Sequence, residues 1–281
     1  MPSRGGGIST KKIIGKKKGI APENIFLGNG SDEAIDLIFR IFCNPGKDKA
    51  VAIAPSYGMY KVAASINDVE LKEVLLNEDF SLPVEKLIME GKDAKVMFLC
   101  SPNNPTGNSF LVSEILSIAV CFKGILVIDE AYIDFSDKGT MVDYLEEFPN
   151  VIVLQTFSKA WGRAGLRLGV AYASADIINY YNKVKYPYNV NAVTQEMALE
   201  ALNDISTVTA WVNELLESRS ALATAFGEMA CVKHIYPSDA NFLLIKVDDP
   251  DALYSYLCEN GIIVRNRNRV EKCAGCLRIT I

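Results

Sequence analysis

Residues 125–132 read Ile-Leu-Val-Ile-Asp-Glu-Ala-Tyr. An uninterrupted apolar run of this length predicts a strand buried on both faces, and such strands belong to mostly parallel sheets covered by helices on both sides. The run ends on Asp129, so a carboxylate stands at the C-terminal end of a buried strand, where open α/β sheets bind their ligands. Outward from this strand the pattern repeats. Short apolar runs at 24–27, 50–54, 71–75, 95–99, 151–154 and 170–173 predict strands, with helical periods between most of them. One predicted helix opens at Ser31, read as its cap, and places Ile35, Ile38, Phe39 and Phe42 at helical spacing. After residue 174 the pattern changes. Helical stretches at 174–184, 192–203 and 206–229 lead to shorter strands at 241–246, 262–265 and 277–281, with a helix at 250–260. The expected architecture is α/β: a three-layer αβα large domain with a mostly parallel sheet, plus a small α+β C-terminal domain. Residues 25–229, including a long connecting helix, make the first, residues 230–281 the second, and residues 1–24 precede both.

The 281 residues carry 29 Lys and Arg against 34 Asp and Glu, a net charge of −5, which gives no global attraction for nucleic acid or anionic lipid. No apolar run approaches the roughly 20 residues that a membrane helix needs. Met1 to Gly7 is Gly-rich and polar rather than a secretory signal. The expectation is a cytoplasmic protein without nucleic-acid or membrane partners. The lysines of residues 11–18 read as the solvated face of an amphipathic or frayed N-terminal helix around Ile13 and Ile14. Seven cysteines, an odd number, fit reduced thiols better than a disulfide framework, and Cys273-x-x-Cys276 has no second pair to complete a zinc site. The single histidine, His234, excludes multi-histidine metal centres and reads as a structural or surface residue. No metal site is expected.

Five further segments carry chemistry. Thr156-Phe157-Ser158-Lys159, followed by Ala164-Gly165-Leu166-Arg167-Leu168-Gly169, puts a lysine just past a strand among hydroxyls and glycines, with an arginine eight residues on. That set suits a phosphorylated aldehyde cofactor: Lys159 to form an imine, Ser158 and Arg167 to hold phosphate oxygens. A polar loop with a surface lysine is the competing reading. Asp129, buried, needs a partner, and a protonated pyridine nitrogen is one. Tyr132, three residues on, and Asn104, in the rigid turn Ser101-Pro102-Asn103-Asn104-Pro105-Thr106-Gly107, can face the ring oxygen. Gly28-Asn29-Gly30-Ser31-Asp32 opens a helix and offers a second wall for an anion. Tyr57, in Pro55-Ser56-Tyr57-Gly58, can stack on a flat ring or sit in the core. Arg278, in the strand Cys276-Leu277-Arg278-Ile279-Thr280-Ile281, needs an anion if buried, and Arg265 upstream is its candidate partner, whereas Arg267 and Arg269 read as an exposed basic loop.

In this order the segments resemble the fold-type I pyridoxal-phosphate aminotransferases from about Pro22 to Ile281, and the Tyr-Ile-Asp-Phe at 132–135 with the Tyr-Asn-Val-Asn at 188–191 favours their histidinol-phosphate branch. The resemblance implies pyridoxal 5′-phosphate as cofactor. It implies Lys159, Asp129 and Tyr132 as catalytic residues. It places Asn104, Tyr57, Ser31, Asp32, Ser158 and Arg167 around the cofactor, and Arg278 and Arg265 on the substrate anion. It also implies a homodimer and amino transfer from L-histidinol phosphate to 2-oxoglutarate, a step of histidine biosynthesis. A threonine-phosphate decarboxylase, an aromatic aminotransferase and a silent cofactor-binding fragment share the scaffold. Members usually begin with a longer segment holding Asn-Glu-Asn-Pro and Tyr-Pro-Asp stretches and end with a further helix, so the chain reads as a member shortened at both ends.

Overall fold

The computed structural model describes residues 6–281, with side chains from Ser9 onward, so the reading of Met1 to Gly7 lies largely outside the described residues. The elements run α1 (Gly6–Lys18), β1 (Ile25–Asn29), α2 (Gly30–Phe42), β2 (Lys49–Ala54), α3 (Met59–Ile66), β3 (Glu70–Leu75), α4 (Val84–Glu90), β4 (Ala94–Cys100), α5 (Val112–Cys121), β5 (Ile125–Asp129), β6 (Val151–Thr156) and β7 (Leu168–Ala173). They continue with α6 (Ala175–Val184), α7 (Ala192–Asn203), α8 (Ile205–Gly227), β8 (Val232–Ile235), β9 (Phe242–Val247), α9 (Pro250–Glu259), β10 (Arg265–Asn266) and β11 (Cys276–Thr280).

Seven strands form one sheet in the order β1-β7-β6-β5-β4-β2-β3. The pairs from β6 through β3 are parallel, while β7 is antiparallel to both its neighbours, β6 and β1. The sheet is therefore mostly parallel, as the apolar runs predict, with β7 reversed. The two-residue alternation of a strand sorts the side chains into two cores. Met97 and Leu99 of β4, Leu126 and Ile128 of β5, and Val151 and Val153 of β6 pack with α4, α5 and α7. Val96, Phe98 and Cys100, then Val127, then Ile152 and Leu154, pack on the other side against α2, α3 and α6. This parity points Asp129, next in β5 after Ile128, toward the α3 side.

Beyond residue 230 a four-stranded antiparallel sheet, β10-β11-β9-β8, packs its apolar face on Leu222, Ala223 and Phe226 of α8 and on α9. Two local expectations are corrected. Ser31 is not a helix cap: α2 starts at Gly30, Asn29 holds the cap position without a side-chain bond to the helix backbone, and Ser31 lies in the first turn. The strand expected at 262–265 shrinks to Arg265–Asn266, because Gly261 turns at φ 78° and the Ile262 N–H returns to Leu257 O of α9. The lysine-rich helix is α1, whose Ile14 is buried against the large sheet. His234 lies exposed on β8, edge-on to Tyr236. No helix among the described residues is long and apolar enough to cross a membrane.

Candidate active site

Because β4, β5 and β6 are adjacent and parallel, their C-terminal ends share one rim, and reversed β7 begins at that same rim. Asp129 closes β5, Asn104 follows β4, Lys159 follows β6, and Arg167 precedes β7. They line an open cavity of about 820 Å³, mouth included, together with Ser31, Asp32, Tyr57, Tyr132, Ser158 and Arg278. Every sequence-derived candidate but Arg265 is there.

The floor is acidic and buried. Asp129, 2% exposed, accepts hydrogen bonds from the Tyr60 hydroxyl (2.8 Å, to Oδ2) and the Ala131 N–H (3.1 Å, to Oδ1). Burial pushes its pKa up to about 6, against the pull of those two bonds and of the Lys159 charge. Next to it, Glu130 is also buried and is held by Thr140 Oγ1, the Met141 N–H and Gln155 Nε2, at 2.6, 2.7 and 2.9 Å. Glu130 therefore serves the scaffold, and Asp129 alone faces the cavity. The Lys159 ammonium stands 5.1 Å from the centroid of the Tyr132 ring. Partial burial first, then the Arg278 charge, push its pKa down, so the amine sheds its proton more readily than an ordinary lysine.

The anion cup is built by one close approach. A Cβ on Gly169 would lie 2.2 Å from the carbonyl carbon of Gly30, so glycine lets β7 meet the first turn of α2. Gly30 itself takes φ 72°, and its N–H donates to Arg167 O at 2.6 Å. Arg167, left-handed at φ 51°, turns its guanidinium back to Asp32 Oδ2 at 3.2 Å. The Tyr57 hydroxyl donates to the other Asp32 oxygen at 3.0 Å. Asp32 thus orients Arg167 and Tyr57; what the α2 terminus offers an anion is its free N–H groups and the Ser31 hydroxyl, with Ser158 opposite.

The far wall is cationic and belongs to the small sheet. Arg278 lies over the Phe242 ring at 4.8 Å and donates from Nη1 to Asn104 Oδ1 at 2.6 Å. With that oxygen occupied, the Asn104 amide has its NH₂ left to donate. Arg267, half-buried, lines the cavity beside Arg278. The Nε atoms of both arginines are buried without a partner, and neither guanidinium has a carboxylate within salt-bridge reach among the described residues. Arg265, expected here, pairs with Arg278 across the β10–β11 ladder but stays exposed at the sheet edge, off the cavity. Two residues on, the Arg267 N–H bonds Cys276 O and carries its side chain in. The sequence reading missed Arg267 and Tyr60. An alternating Arg265/Arg267 pair and a second tyrosine three residues after Tyr57 were the available signals.

Comparison with known proteins shows the family and the fold. The sequence pattern of the family "Aminotransferase class I and II" matches residues 9–281. A histidinol-phosphate aminotransferase of Parabacteroides distasonis is 56% identical over 265 residues, 94% of this chain and 77% of that protein. Two crystal structures at 21% and 23% identity share the fold. The histidinol-phosphate aminotransferase of Clostridium acetobutylicum has a TM-score of 0.93, covering 100% of this chain and 85% of that one. That of Sinorhizobium meliloti, in complex with pyridoxal-5′-phosphate, has a TM-score of 0.89, covering 99% and 77%. By its family match and by the 56% identity, the chain belongs to the class I and II aminotransferases, among the histidinol-phosphate aminotransferases.

Proposed function

We propose that the chain moves the amino group of L-histidinol phosphate to 2-oxoglutarate, giving imidazole-acetol phosphate and glutamate, with pyridoxal 5′-phosphate as its cofactor. The observation that carries this reading is the far wall: two half-buried arginines with orphaned Nε atoms demand a strong anion at a distance from Lys159. A phosphate monoester, with up to two charges and three acceptor oxygens, meets that demand.

The residues of the rim fit the cofactor by their donor set. Arg167, Ser31, Ser158 and the α2 terminus suit its phosphate, Asp129 its ring nitrogen, Tyr132 and the Asn104 amide its ring oxygen, and Tyr57 a ring face. When bound, it supplies an aldehyde carbon that takes up an amine and a ring that withdraws electrons. Asp129, ionised above about pH 6, holds a proton on the pyridine nitrogen. Lys159 Nζ, its pKa lowered, takes the proton from the substrate carbon that bears the amine. Arg278 and Arg267 hold the phosphate of the substrate, with Arg278 backed by the Phe242 ring, which meets Tyr132 edge-on.

The reading includes a large cofactor-binding domain at 25–229, a small domain at 230–281, a homodimer and a cytoplasmic place of work. The test is the purified chain, loaded with pyridoxal phosphate and given L-histidinol phosphate and 2-oxoglutarate. Glutamate should accumulate in step with the donor consumed. Release of carbon dioxide from threonine phosphate, or preferred turnover of phenylalanine, would overturn the substrate assignment. Light scattering tests the dimer.

A further inference from the structure

One buried hydroxyl bonded to the rim belongs to none of the groups assigned above. Tyr60, on α3, is 1% exposed, and its hydroxyl donates to Asp129 Oδ2 at 2.8 Å. Its ring stacks on Phe98 of β4 at 4.8 Å and meets the Tyr57 ring edge-on at 5.7 Å. Tyr57 in turn reaches Asp32, and Asp32 reaches Arg167. A single run of contacts therefore joins the acid on the cavity floor to the cation of the anion cup, and Tyr60 is its first link from the acid.

We propose that Tyr60 is a positioning residue: its hydroxyl fixes and holds ionised the Asp129 carboxylate, and its ring sets the tilt of Tyr57, so that both ends of the cofactor pocket keep one spacing. The inference rests on the cofactor assignment above. Asp129 lies in a desolvated site where its charge is costly. The groups facing it are Tyr57 and Tyr60 from the α3 segment, Cys100 from β4, Asp32 from α2, Tyr132 after β5 and Lys159 after β6. Of these, Tyr60 is the side chain that donates a hydrogen bond to the carboxylate, alongside the Ala131 N–H. Cys100 sits opposite Asp129 in the β4–β5 ladder but directs its thiol to Pro102 O. Lys159 favours the ionised acid by charge at a distance, and Asp32 opposes it. Deleting the Tyr60 hydroxyl removes a bond to a charged group and raises the pKa of Asp129.

The experiment is a titration of the cofactor-free 281-residue chain with pyridoxal phosphate across pH, read by absorbance and fluorescence rather than turnover, in the wild type, Tyr60→Phe, Asp129→Asn and Tyr60→Phe/Asp129→Asn. Wild-type affinity should fall on the acid side as Asp129 takes a proton. In Tyr60→Phe that fall should move up by about one pH unit, the size expected for losing a charge-assisted bond. In the double variant the Tyr60 change should add little to Asp129→Asn, because the hydroxyl acts through the carboxylate. An acid-side fall that stays put in a folded Tyr60→Phe protein overturns the proposal. If Tyr60→Phe does not fold, fluorinated tyrosine at position 60 keeps the ring and strengthens the donor. The fall should then move to lower pH, and a shift the other way or none at all overturns the proposal. A wild type that binds no pyridoxal phosphate sinks the cofactor assignment instead, so the two failures are distinguishable.

Discussion

The two walls of the cavity solve the problem of buried charge in opposite ways. On the wall made by the large sheet, the acid and the arginine already have partners: Asp129 has Tyr60 and the Ala131 N–H, and Arg167 has Asp32, while Lys159 stands over the Tyr132 ring. On the wall made by the small sheet, Arg278 has one neutral amide oxygen, and Arg267 and Arg278 keep orphaned Nε atoms. On the first wall the acid and the arginine are held before any ligand arrives. The second is left short of negative charge, and the ligand must bring it. A group held for the life of the enzyme suits a prearranged wall, and a group that comes and goes suits a wall whose need is met only while it is there.

The largest expected effect lies on the paired wall. Lys159→Ala should lower kcat by about 10³-fold or more, since both the covalent amine and the proton carrier are lost. Borohydride treatment should then fix no cofactor to the chain. Asp129→Ala should follow at about 10²–10³-fold in kcat, the scale of losing one preorganised electrostatic group. On the unpaired wall the effect should fall on binding. Arg267→Leu should raise KM for the phosphorylated donor by about 10–100-fold, the loss of a bond to a charged group, with a much smaller change in kcat. Unchanged KM there would mean that the unpaired wall is not a substrate site.

A pH measurement separates scaffold from site. Glu130, pushed up to about 7 by burial from 4.5, binds its proton more tightly in the folded chain than in the unfolded one. Its contribution to stability is therefore greatest below pH 4.5 and is lost as pH rises through about 7. The melting temperature of Glu130→Gln should change less between pH 5 and pH 8 than that of the wild type. The smallest effect is expected at Arg265→Ala, exposed and off the cavity: KM and kcat should stay within about twofold, as surface changes generally do.

The difference between the walls also explains what the sequence disclosed. Asp129, Lys159, Asn104 and Arg167 are legible because each sits at the end of an apolar run, and a parallel sheet brings such ends to one rim. The reversed β7 does not spoil this, since it brings its beginning to the rim instead of its end. Tyr60 was not legible: which side of an eight-residue helix meets Asp129 depends on how α3 lies on β4, a packing matter. Arg265 and Arg267 were not separable, because strand alternation gives both the same face. The choice between them falls to how the short β10 lies on β11, a pairing far apart in the chain. Ser31 was misassigned as a cap for a related reason, since the turn into α2 is set by contact with Gly169 and not by its own side chain.

The β6–β7 hairpin, with Thr156 paired to Gly169, carries both Lys159 and Arg167 on one loop. On the function proposed above, the amine for the cofactor and the cation for its phosphate therefore ride on the same handle, anchored to β6 and β7 of the large sheet. The arginines proposed for the substrate ride on β11 and the segment after β10, in the other sheet. Swinging the small sheet open to admit or release a metabolite would leave the handle undisturbed. On that reading, what stays and what passes through are gripped by different sheets, and a change in one grip need not loosen the other.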